Sequence, residues 1–178
     1  MTEQINLQEF EHYGVTSFQL LNFFDIKTPL EELQRHQFVP APHTHGTGSV
    51  EQQFESAPLV RALAPRTTKA ITVLEDTLRS ISSLRLPETF CFNVAIIQQY
   101  FYPRNFGISP HRDESRWNYV IALIVFEDGG EFFVCKDKMM SESKLIPTTK
   151  GSCILMKGSI PTQKVVRPLP CVSNILRP

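Results

Sequence analysis

The strongest constraint on this chain is a change of hydrophobic period partway along it. Between Thr67 and Leu84 the residues Ile71, Leu74, Leu78 and Ile81 recur at three and four positions, which places them on one side of a helix. Thr67 or Thr68 is expected to cap its start, and Pro87 lies just past its end. From Phe90 onward the period is two. Phe90, Phe92, Val94, Ile96, Gln98 and Tyr100 fall on one side of an extended segment, and Cys91, Asn93, Ala95, Ile97, Gln99 and Phe101 on the other. Tyr119 to Phe126 is a nearly unbroken apolar run rich in β-branched residues, the composition of a buried strand. Glu127-Asp128-Gly129-Gly130 turns the chain back through Glu131 to Cys135. Further strands are expected at Leu145-Ile146, Ser152 to Met156, Lys164 to Val166 and Val172 to Leu176. Helical material followed by many short strands predicts packed sheets, as a sandwich, jelly roll or barrel, with the helix laid over one of them.

At 178 residues the chain has the size of one domain. The pattern divides it into an N-terminal extension (1–37), a loop or lid (38–58), a supporting helix (66–84) and a β core (90–178). Within the extension, Thr28-Pro29 followed by Leu30 to Leu33 reads as a short helix with proline in its first turn. Lysine plus arginine and aspartate plus glutamate both total 18, so net charge supplies no long-range pull towards duplex nucleic acid. Cys91, Cys135, Cys153 and Cys171 are widely spaced beside apolar stretches, which suits reduced thiols in an intracellular, cytoplasmic protein. The start of the chain lacks a basic region followed by an apolar one, and no apolar run is long enough to span a bilayer, so a soluble protein without a membrane partner is expected.

One segment carries chemistry, Pro110-His111-Arg112-Asp113-Glu114. In extended backbone, residues two apart point the same way, so His111 and Asp113 are aimed into one space and Arg112 away from it. An imidazole nitrogen and a carboxylate oxygen make part of the two-histidine, one-carboxylate shell of non-haem Fe(II), whose open positions admit a co-substrate and oxygen.

The order of these pieces is similar to that of the iron- and 2-oxoglutarate-dependent oxygenases, over about 90–178, with most likeness to the AlkB-like type. That type carries Asn-x-Tyr-x-Pro-Gly ahead of His-x-Asp; here Gln99 replaces the asparagine, Tyr100 and Pro103 match, and Arg104 replaces the glycine. The resemblance implies a double-stranded β-helix (jelly-roll, cupin-like), mainly β with N-terminal helices. It implies Fe(II) on His111 and Asp113, and 2-oxoglutarate held by Tyr100, Gln99 and an arginine. It also implies a downstream histidine as third metal ligand, but alignment puts Gln163 there and no histidine follows His111. Either Gln163 is a poor third ligand, or His43 or His45 arrives from the loop, or no catalytic iron is held. For the co-substrate's carboxylate, Asn174 fits an Arg-x-Asn pattern whose arginine falls on Val172, leaving Arg177 and Arg167 as candidates.

Around the motif, His43, His45, Arg112 and Trp117 are candidates for a lid or substrate contact. The chain has no nucleotide-binding glycine loop and no serine nucleophile elbow. The resemblance implies hydroxylation or demethylation by Fe(II) and 2-oxoglutarate. The substrate is left open between a small molecule, a nucleotide and a protein side chain. The alternative is a catalytically inactive binding or regulatory protein on the same fold that has lost the third ligand.

Overall fold

The computed structural model describes residues 5–21, 26–41, 44–45, 50–100, 104–113, 116–128, 130–160 and 167–175. In chain order the elements are α1 (Leu7–Tyr13), β1 (Val15–Gln19), α2 (Lys27–Leu33), β2 (Val39–Pro40), β3 (Thr44–His45), β4 (Val50–Glu51), β5 (Phe54–Pro58) and α3 (Pro65–Ser80). There follow β6 (Ile96–Tyr100), β7 (Arg104–Ile108), β8 (Val120–Ile124), β9 (Glu131–Cys135), β10 (Ser143–Ile146), β11 (Ser152–Lys157) and β12 (Leu169–Ile175). Every strand pairing among them is antiparallel.

Two sheets form the centre, one ordered β1-β11-β8 and the other β10-β9-β12-β7. The alternation of β11 shows how they are held. Ile154 and Met156 pack with Val15, Phe132 and Ile146 into the core between the sheets. Cys153 and Leu155 point the other way, against Phe10 of α1 and Leu74 and Leu78 of α3. β11 is therefore covered on both faces, as its unbroken apolar sequence requires, and the sequence-predicted helical stripe packs on a sheet. Gly14 closes α1 in the left-handed conformation, φ 72°, and its N–H donates to the Phe10 carbonyl, so β1 can begin at the next residue.

Helix α3 starts earlier than its threonines suggest. Pro65 opens it, and the buried carboxylate of Glu32, at the end of α2, accepts hydrogen bonds from the N–H groups of Arg66 and Thr67. The Thr67 hydroxyl is buried without a hydrogen-bond partner, so it is not the cap. The long strand expected from Phe90 to Phe101 is confined, among the described residues, to Ile96–Tyr100. The stretch before it is drawn onto α3 instead: the Phe92 N–H donates to Glu75, Arg79 donates to the Phe90 carbonyl, and the two phenylalanine rings meet edge to face. Within 38–58, read from the sequence as a loop, the chain forms β2 to β5, and β5 pairs with β6. The expected strand at Lys164 to Val166 lies outside the described residues.

The architecture is thus mixed α/β, with several antiparallel sheets in an arrangement like a double-stranded β-helix. It does not close into the expected jelly roll: among the described residues β8 pairs only with β11, and β6 only with β5.

Candidate functional site

His111 and Asp113 follow β7, at the end where that strand lies beside β12. The chain past Ile108 is fixed from two directions. Ser109 donates its N–H to the Glu51 carbonyl at 2.8 Å, and its hydroxyl accepts from the Glu51 N–H at 2.9 Å. His111 then donates its backbone N–H to the Pro170 carbonyl of β12 at 3.2 Å.

These anchors bring the two side chains together. His111 Nε2 lies 3.5 Å from Asp113 Oδ1, and each side chain is 15% exposed. On the far side of the ring, Nδ1 is 2.9 Å from the Ser109 carbonyl oxygen, which can only accept, so Nδ1 carries the proton. In the neutral ring Nε2 is then an acceptor facing an acceptor, the carboxylate, and the pair calls for a proton, a donor or a cation between them. Arg167 donates to the Asp113 backbone carbonyl at 2.8 Å. It positions the loop.

The other sequence candidates divide as follows. Arg112 is exposed, as the alternation predicts, and Trp117 is half-buried, its carbonyl accepting from the Ser159 N–H. Tyr100 and Gln99 belong to β6, in a different sheet from β7 and β12. The Tyr100 ring packs on Phe54, its hydroxyl donates to Gln98, and burial pushes its phenol well above the usual range. Asn174 lies on β12, and His45 pairs with Val50 in the β3–β4 ladder. His43, Gln163 and Arg177 lie outside the described residues. The sequence reading missed the supporting carbonyls of Ser109 and Pro170 and the Glu51 segment, because backbone contacts between distant residues leave no residue-type signal.

The expectation of an Fe(II)- and 2-oxoglutarate-dependent oxygenase is corrected here. Non-haem iron of this kind takes three protein ligands. Among the described residues no group of three or more His, Cys, Asp or Glu side chains is placed to hold a metal, and the motif supplies two donors. The ring nitrogens of His36 are both engaged, with the Leu33 carbonyl and the Val60 N–H. Among the described residues the donor set does not fit Fe(II), and a co-substrate that chelates the metal loses its anchor with it.

No family model matches the chain, and no curated protein matches it. Among solved structures it is similar to a prolyl-4-hydroxylase from Pseudomonas putida, with a TM-score of 0.62 and 13% identity over 95% of this chain and 90% of that one. At that identity the likeness is one of fold. It does not carry the narrower AlkB-like assignment. No described helix is long and apolar enough to cross a membrane.

Proposed function

We propose that this chain is a non-catalytic binding or regulatory protein on the scaffold of the iron- and 2-oxoglutarate-dependent oxygenases. The carrying observation is the pair of convergent acceptors, His111 Nε2 and Asp113 Oδ1, 3.5 Å apart with no third donor among the described residues. The pair suits a ligand that brings a hydrogen-bond donor or a positive charge between them, such as an amine. Arg167 keeps Asp113 in place through its backbone.

The test compares turnover with ligand-set repair. Given Fe(II), 2-oxoglutarate and oxygen, the wild-type chain is expected to form no more succinate than the His111→Ala variant. Gln163→His, at the position aligned with the missing donor, is expected to tighten Fe(II) binding, because it restores the third ligand as a second imidazole. Succinate formation by the wild type that disappears in both His111→Ala and Asp113→Ala would sink the proposal.

A further inference from the structure

At one end of the β10-β9-β12-β7 sheet the Cys171 sulfur has two sulfur neighbours, one on each of Cys135 and Met140. Cys135 is the last residue of β9 and Cys171 lies on the neighbouring β12; their Sγ atoms are 3.8 Å apart. The Cys171 Sγ is 4.0 Å from the thioether sulfur of Met140. Both cysteines are buried, Met140 is half-buried, and Leu169 and Phe133 complete the apolar cluster around them.

The turn that presents Met140 is tightly made. Met140 takes a left-handed conformation, φ 57°, unusual for a residue with a long side chain. Asp137 accepts from the N–H groups of Met139 and Ser141, and Lys136 donates its N–H to the Glu142 carbonyl. The backbone is therefore held on both sides of the residue whose thioether reaches the Cys171 thiol.

A disulfide does not suit the cysteines. They are diagonal in the ladder, with Cys135 opposite Leu169 and Cys171 opposite Phe133. Diagonal neighbours have Cα atoms about 7–8 Å apart, whereas a disulfide spans about 4.4–6.8 Å. Shared coordination does suit them. Three sulfurs at about 2.3 Å from one ion, 120° apart, lie about 4 Å from each other, and the two recorded sulfur–sulfur distances agree with that. Two thiolates and a thioether are soft ligands of the kind Cu(I) takes. Structural zinc sites instead use four ligands drawn from cysteine, histidine and carboxylate, and a thioether is not among them.

We infer that Cys135, Cys171 and Met140 form a trigonal, all-sulfur site for Cu(I). On binding, each thiol exchanges its S–H bond for an S–Cu bond and gives its proton to solvent, and copper keeps its oxidation state. The site uses neither His111 nor Asp113 and does not rest on the function proposed for them.

The full chain is titrated anaerobically with Cu(I) against a colorimetric Cu(I) chelator, and X-ray absorption at the copper edge counts the neighbours. One Cu(I) per chain is expected, unchanged by Cys91→Ser, which removes the exposed thiol. Three sulfur neighbours at about 2.3 Å are expected, with no nitrogen or oxygen. Met140→Leu keeps the volume and the fold; it should leave two sulfurs and weaken binding about tenfold or more, since losing even an outer-shell partner costs that much. Loss of all copper to the chelator, copper that follows Cys91, nitrogen or oxygen neighbours, or an unchanged Met140→Leu variant would each overturn the site.

Discussion

The contact between Glu32 and the start of α3 makes a sharp test of how the helical layer is held. Glu32 is 4% exposed, and its carboxylate accepts from the Arg66 N–H at 3.0 Å and the Thr67 N–H at 3.3 Å. Those donors belong to a first turn that has no partners within the helix, and a negative group there also meets the positive end of the helix dipole. Losing an N-cap costs about 0.5–2 kcal/mol, and a hydrogen bond to a charged group is worth about 1.5–3 kcal/mol. Glu32→Ala leaves the donors unpaired beneath α2, so a loss of about 2–4 kcal/mol is expected. For a chain of this length that is a fall in Tm of roughly 9 °C. Glu32→Gln keeps an oxygen acceptor and the volume, and should lose about 1 kcal/mol. Urea unfolding followed by circular dichroism reads both, as a lower midpoint with an unchanged slope. A Glu32→Ala variant within about 0.5 kcal/mol of wild type, or a glutamine variant as damaging as the alanine one, would refute the capping role.

Two further substitutions probe the core by other mechanisms. Gly151 has φ 84°, and a Cβ there would lie 2.4 Å from the Leu21 carbonyl oxygen, so Gly151→Ala combines backbone strain with a backbone clash; a loss above about 3 kcal/mol is expected in thermal unfolding, and one below about 1 kcal/mol would contradict that geometry. Leu78 is fully buried between α3 and the sheet, and Leu78→Ala should cost about 2–5 kcal/mol by chemical denaturation, with a negligible change showing that the helix face is not packed as described.

The parts of the fold legible in the sequence are those where one physical pattern acts alone. The stripe Ile71, Leu74, Leu78 marks α3 because a helix on a sheet needs one apolar face, and Tyr119 to Phe126 marks β8 for a similar reason. Legibility fails where a long-range contact overrides the local pattern. Phe90 to Ala95 alternates as a strand does, yet Glu75 and Arg79 of α3 take its backbone groups. Val15 to Gln19 has too little alternation to announce a strand, and is one because Ser152 to Met156 supplies its ladder. At the site, the His-x-Asp spacing marks the pair, but residues 109–113 belong to no strand, so extended-strand alternation does not account for their approach. The proton on Nδ1 was not readable, because it depends on a carbonyl two residues back in a bent segment.

Contacts within the chain fix His111 and Asp113: Pro170 holds the His111 backbone, Ser109 orients the ring, and Arg167 grips the Asp113 carbonyl. In a site organised by its metal, replacing a ligand would release the others; here the frame is paid for by β7 and β12. The consequence is electrostatic. With the ring neutral, Nε2 and Oδ1 are two acceptors 3.5 Å apart in a mostly buried setting; a proton on Nε2 turns the same contact into an ion pair. A donor or cation entering between Nε2 and Oδ1 satisfies both acceptors, and this is what the proposed binding role requires of a ligand.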